Sequence, residues 1–197
     1  LSSYFKPLNN VMSKSLLNIK FKAQRFRKWP SVKIYVDGDL LEEKVLEGDE
    51  VIASIPFDLL DGDHTLEIEH FGKSSKDTRF ENNEILADTK FLVDQVTINE
   101  YIVPSSLMCR CTFKADWAKF DKPLDMPSVF KQSVIVGPNG VWSLPFTTPI
   151  DDWIMDQRSI DEGPKKIVTY ESYEPSTDST LDYKLTQEDR QIIKDIE

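Results

Sequence analysis

The feature that most narrows the fold is a two-residue rhythm of apolar and polar side chains, broken at short intervals by Asp-Gly pairs. In residues 17–23, Leu17, Ile19, Phe21 and Ala23 fall on one side, and Asn18, Lys20 and Lys22 on the other. A period of two is that of a strand with one face in a core. Val32, Ile34 and Val36 repeat it, and Asp37-Gly38 follows as a tight-turn signal. Residues 51–57 predict a further strand, Asp61-Gly62 a second turn, and residues 64–70 a strand with Leu66 and Ile68 inward. Residues 72–84 read as a long polar loop. Residues 90–103 return to strand, with Leu92, Val96 and Ile98 on one face.

The second half has a different texture. Residues 107–113 suggest a strand with Cys109 and Cys111 on one face, read as two buried free thiols. Asn139-Gly140, flanked by Val134-Ile135-Val136 and Val141-Trp142, is a hairpin signal. Asp151-Asp152-Trp153 suits the start of a brief helix, and residues 157–183 read as an acidic, polar arm. Thr186 suits an N-cap, and Ile192, Ile193 and Ile196 form the apolar stripe of a short terminal helix. The expected architecture is mainly β: a jelly-roll-like β-sandwich with an extended C-terminal region ending in a short helix. Its parts are an N-terminal arm (1–14), the sandwich (15–103), a hairpin-containing extension (104–156) and the acidic arm with its helix (157–197).

Charge divides the chain. The first 36 residues hold eight Lys or Arg and no acid, within a chain of 197 residues whose net charge is -10. Such a dipolar chain suits an acidic protein surface, another's or its own. The candidate partner-binding residues are Lys20, Lys22, Arg25, Arg27 and Lys28, together with the stripe of Ile192, Ile193 and Ile196. The acidic bulk disfavours nucleic acid. No apolar run approaches the ~20 residues that span a bilayer. Opening on Leu1, where an initiator Met would be retained, reads as a processed start or a fragment, and residues 1–10 lack a secretory-signal layout.

Catalytic signatures are missing: no G-x-S-x-G, P-loop, H-E-x-x-H or C-x-x-C occurs. His64 and His70 sit six residues apart on one predicted strand. At that spacing they lie roughly 20 Å apart, too far to share a metal. No catalytic residues are assigned and no cofactor is required. The one metal expectation is calcium, which takes oxygen ligands, with Asp77, Asp88 and Asp94 as its candidates.

Residues 32–99 resemble the calcium-dependent carbohydrate-binding modules of the xylan-binding sandwich type. The resemblance rests on Ile34-Tyr35-Val36-Asp37-Gly38, on Leu60-Asp61-Gly62-Asp63-His64-Thr65-Leu66, and on Asp94-Gln95-Val96-Thr97-Ile98-Asn99. Gly72-Lys73 stands where that family has an acidic metal-binding loop, and Asp88-Thr89 where it has an Asp-Arg pair. The resemblance implies glycan binding at host surfaces, with Trp29, Tyr35 or Trp142 stacking on sugar. The whole order of segments is also similar to small virion structural proteins of contractile-tailed marine bacteriophages, through Phe26-Arg27-Lys28-Trp29-Pro30, Gly72-Lys73 and Gly137-Pro138-Asn139-Gly140-Val141-Trp142. That likeness implies a non-catalytic head-decoration or tail-associated protein, located in the virion and adhering to other virion proteins. It is the leading functional expectation, with the glycan-binding module as the alternative.

Overall fold

The structure is a computed structural model that describes residues 13–82, 84–118 and 126–161. The stripe of Ile192, Ile193 and Ile196, the N-terminal arm and nearly all of the acidic arm lie outside the described residues. In chain order the elements are β1 (Ser13–Gln24), β2 (Ser31–Val36), β3 (Asp39–Val45), β4 (Glu50–Leu59), β5 (Gly62–Phe71), β6 (Thr78–Glu81), β7 (Glu84–Asp88), β8 (Lys90–Ile98) and β9 (Tyr101–Ile102). They continue with α1 (Ser105–Met108), β10 (Thr112–Ala115), β11 (Val129–Lys131), β12 (Ile135–Val136), β13 (Gly140–Thr148) and α2 (Ile150–Asp161).

Two antiparallel sheets face each other. One runs β12-β8-β1-β4, with β9 on β8, and the other β11-β10-β13-β5-β2-β3. The expected mainly β sandwich is present. Its interior is the inward set of the alternation: Leu17, Ile19, Phe21, Val93, Val96 and Ile98 from the first sheet, and Val32, Ile34, Leu66, Ile68, Trp142 and Leu144 from the second. Burying each large aliphatic contributes about 1.5–3 kcal/mol, so these strands carry the fold.

The boundary expected at residue 104 does not hold. β13 pairs with β5 over nine positions, Gly140 opposite His70 through Thr148 opposite Gly62, and β10 pairs with β13 in turn. The supposed extension therefore supplies central strands of the sandwich, and Phe113, Trp142, Leu144 and Phe146 are core. Residues 157–161 belong to α2, which replaces the first turn of the expected arm.

The glycine signals resolve in two ways. Asp37 (φ 54°) and Gly38 (φ 86°) make the expected two-residue hairpin between β2 and β3, as the twist of paired strands favours. Asn139-Gly140 makes no hairpin: β12 pairs with β8 in one sheet while β13 lies in the other, so the pair carries the chain across the sandwich. Gly140 has φ 149°, and a Cβ there would come within 2.2 Å of the Lys114 carbonyl oxygen. Other departures are local. Asp94 is an extra residue in β8, Lys20 opposing Gln95 and Phe21 opposing Val93. This bulge reverses the phase, so Phe91 and Val93 point inward and Leu92 outward. Residues 105–108 are helical rather than strand, leaving Cys109 exposed and Cys111 buried.

Candidate functional site

Seven polar side chains are buried among the described residues, and six of them, His70, Lys73, Asp77, Asp88, Thr89 and Asn139, form one connected cluster. Four chain segments meet there, residues 25–30, 72–78, 88–89 and 137–139. Gly72, with φ 73°, changes the direction of the chain leaving β5, and the Lys73 side chain that follows is only 3% exposed. Its Nζ donates to Asp88 Oδ1 at 2.5 Å and to the Gly137 carbonyl at 2.7 Å. Thr78 Oγ1 donates to the same Asp88 oxygen at 2.6 Å. The Lys73 backbone is clasped at both groups: its N–H donates to Asn139 Oδ1 and its carbonyl accepts from Asn139 Nδ2, each at 2.9 Å.

A second carboxylate closes the next turn. Asp77 Oδ2 accepts from the Ser74 N–H at 2.8 Å and the Ser74 hydroxyl at 2.9 Å, and Lys28 Nζ lies 3.4 Å away. Lys28 Nζ also donates to the Gly72 carbonyl. Thr89 ties in residues 26–28, accepting from the Phe26 N–H and donating to the Lys28 carbonyl at 3.1 Å. Each buried carboxylate thus has its own lysine.

The electrostatics follow from burial and these partners. Burial pulls the Lys73 ammonium below the usual lysine value, against the Asp88 bond that raises it. Burial likewise works against the Asp77 charge, yet the Ser74 donors and Lys28 outweigh it and hold that carboxyl below the usual range. His70 is 1% exposed and donates from Nδ1 to the Pro138 carbonyl at 2.9 Å; its Nε2 is buried with no hydrogen-bond partner. Burial, with the positive charges of Lys73 and Lys28 adding to it, lowers its pKa to about 4, so the ring is neutral near pH 7.

The structure unites some sequence candidates and separates others. Asp77 and Asp88 come together, but Asp94 sits on the outer face of the first sheet, its Oδ1 2.8 Å from Lys22 Nζ and its Oδ2 3.6 Å from Lys20 Nζ. Lys20 also meets Glu50 at 3.1 Å. Among the described residues no three His, Cys, Asp or Glu side chains gather as a metal group would require. The oxygens offered by Asp88 and Gly137 are taken by an ammonium, so the residues present do not fit the calcium expected at Asp77, Asp88 and Asp94. Lys20, Lys22 and Lys28 meet acids of their own chain, while Arg25 and Arg27 stay exposed beside the cluster.

The three stacking candidates also part. Trp142 is 0% exposed and its Nε1 donates to the Ser133 carbonyl, so it is a core residue and offers no face to a ligand. Tyr35 is half-buried in β2, its hydroxyl donating to Glu69 at 2.9 Å. Trp29 is half-buried against the core. The Arg25 guanidinium lies 5.9 Å from its ring centre, and Arg27 lies 5.8 Å from that of Phe26. Sequence reasoning missed Lys73, whose signal was the replacement of an acidic loop by Gly72-Lys73.

At the other end of β5, Asp37, His64 and Thr148 lie at the spacing of an acid–base–nucleophile relay. His64 Nδ1 is 2.6 Å from Asp37 Oδ2, and Nε2 is 3.1 Å from Thr148 Oγ1. The chemistry differs from such a relay. Nε2 also faces the Leu60 carbonyl at 2.8 Å, which can only accept, so Nε2 is a donor and not a base. Thr148 Oγ1 gives its proton to the same carbonyl at 2.7 Å. The arrangement clasps three segments together.

No family model matches the sequence, and no curated protein matches it. Two solved structures resemble the fold. One is the carbohydrate-binding module vCBM60 in complex with galactobiose, at 11% identity and a TM-score of 0.47, covering 66% of this chain and 96% of that one. The other is the selenomethionine form of vCBM60, described within a comparison of two families of calcium-dependent carbohydrate-binding modules. Its identity is 13% and its TM-score 0.46, covering 67% of this chain and 90% of that one.

Proposed function

We propose that this chain is a non-catalytic glycan-binding module whose binding surface is the loop of residues 25–29. The observation that carries the reading is the pair of arginine–aromatic contacts, Arg25 on Trp29 and Arg27 on Phe26, held on a loop that Thr89 and Lys28 bond to the buried cluster. A sugar ring offers an apolar C–H face and a rim of hydroxyls, and a ring flanked by guanidinium donors meets both. Fixing the loop in advance lowers the ordering cost of binding. The two arginines favour sugars that carry carboxylates.

The test is binding of neutral and uronic-acid oligosaccharides to the wild type and to Trp29→Ala. Binding that favours the acidic sugars and falls at least about tenfold in the variant, a loss of about 1.4 kcal/mol, supports the reading. Equal binding by both chains contradicts it.

A second reading, a virion structural protein acting by adhesion, is favoured by the β6–β7 hairpin. Phe80, Ile85 and Leu86 there are 61%, 53% and 51% exposed, three apolar side chains of one hairpin each left more than half open. Such a set suits a protein neighbour. Failure of all glycans to bind, with self-association that Phe80→Ser abolishes, would favour it over the first.

A further inference from the structure

We infer that the loop end of the sandwich is closed by a resident ammonium, that of Lys73, in place of a bound cation, so that the fold is indifferent to calcium. This holds independently of the glycan reading.

The donor set decides it. A cation that draws several loops together does so by collecting carboxylate and carbonyl oxygens from each. Lys73 Nζ collects Asp88 Oδ1 from the end of β7 and the Gly137 carbonyl from the β12–β13 connection, while its backbone holds Asn139. Asp88 Oδ1 also accepts from Thr78, and Asp88 Oδ2 lies against Gly137, 3.6 Å from where a Cβ would stand. Asp77 is equally committed, to both Ser74 donors and to Lys28. Calcium wants six to eight oxygens; here two of the oxygens at hand, Asp88 Oδ1 and the Gly137 carbonyl, are bonded to an ammonium that is 3% exposed and tethered to its own backbone. An ion arriving from water would have to expel a covalently attached cation and leave it unpaired in the interior, a loss that its own ligation has to exceed.

The geometry also says what removal does. Without the ammonium, Asp88 is left as a buried carboxylate beside the Gly137 carbonyl, with room opened by the missing side chain. One carboxylate and one carbonyl fall far short of the six to eight oxygens calcium takes, so losing the ammonium destabilises the loop end without turning it into a calcium site.

The experiment is thermal unfolding of the full chain, as wild type and as Lys73→Ser, in chelator and in millimolar calcium. The wild type is expected to melt at the same temperature in both. A calcium site filled a thousandfold above its dissociation constant would raise the midpoint by roughly ten degrees, and such a rise in the wild type overturns the inference. Lys73→Ser is expected to melt lower than the wild type, by the same amount in chelator and in calcium. A Lys73→Ser chain that melts together with the wild type also overturns it, because the ammonium would then not close the loop end. Should that variant not fold, the wild-type ammonium is followed directly by proton–nitrogen correlation spectroscopy. A slowly exchanging lysine signal, assigned by its loss in Lys73→Arg and unmoved by calcium, supports the inference. A signal shifted or displaced by calcium contradicts it.

Discussion

Two Lys–Asp pairs, alike in chemistry and both within hydrogen-bond distance, behave as opposites in this molecule. Lys73 and Asp88 are 3% and 7% exposed, whereas Lys22 and Asp94 are 49% and 24% exposed on the outer face of the first sheet. In water the Lys22–Asp94 attraction is screened, and two long side chains must be ordered to realise it. Asp94 still feels its partner: the Lys22 hydrogen bond holds its carboxyl below the usual range despite some desolvation. In the interior neither charge can turn to solvent, so each depends on the other and on the Thr78, Gly137 and Asn139 groups around them. The surface pair decorates a sheet that hydrophobic burial already holds. The buried pair joins the turn after β5 to the end of β7 and, through the Gly137 carbonyl, to the β12–β13 connection.

The largest effect of this contrast is expected on removing the buried ammonium. Lys73→Met keeps most of the side-chain volume but leaves Asp88 uncompensated, at a cost of about 3–5 kcal/mol, read as a lowered midpoint in denaturant. A loss no larger than that of an ordinary surface substitution would put the buried pair on the same footing as the exposed one.

A somewhat smaller effect comes through pH. His70 is neutral when folded because its pKa is lowered from 6.5 to about 4. The unfolded chain takes up a proton below pH 6.5 that the folded chain refuses until about pH 4. The stability tied to His70 is therefore complete above pH 6.5 and is lost as pH falls toward 4, by roughly 3 kcal/mol at 1.36 kcal/mol per unit. His70→Asn, which retains a donor for the Pro138 carbonyl, is expected to flatten the stability profile between pH 4 and 6.5. An unchanged slope would show that His70 is not the group that titrates.

The smallest effect is expected at the exposed pair. Lys22→Met should leave the unfolding midpoint unchanged within error, and the midpoint of the wild type should show no salt dependence that this substitution removes. A clear destabilisation would mean that the outer face of the first sheet carries more of the fold than its exposure suggests.

The sandwich was legible because its strands obey a strict period of two: Leu17, Ile19 and Phe21, or Val32, Ile34 and Val36, state their inward face residue by residue. His70 continues the inward phase of Leu66 and Ile68, so its structural role was readable too. Reading failed where backbone geometry changes the phase. The extra residue at Asp94 turned Leu92 outward. A positive φ at Gly72 precedes a lysine turned into the interior, in a stretch whose composition says loop. The hairpin of β6 and β7 was hidden because its strands have four and five residues and a register shift at Phe80, too little for alternation to show. Asn139-Gly140 misled for another reason. A turn signal says that the chain reverses locally, not that the strands on either side pair with each other, and here they enter different sheets. Asn139 is held at that point by Lys73, a contact across 66 residues that local sequence cannot announce.

The most direct test of the contrast is a pair of double-mutant cycles, one on Lys73→Met with Asp88→Asn and one on Lys22→Met with Asp94→Asn, both read from denaturant unfolding. The structure predicts strong coupling in the first, with the double variant far less destabilised than the two single losses combined, and additivity within error in the second. Additivity at Lys73 and Asp88 would contradict the claim that a buried ammonium and its carboxylate hold the loop end of the sandwich together.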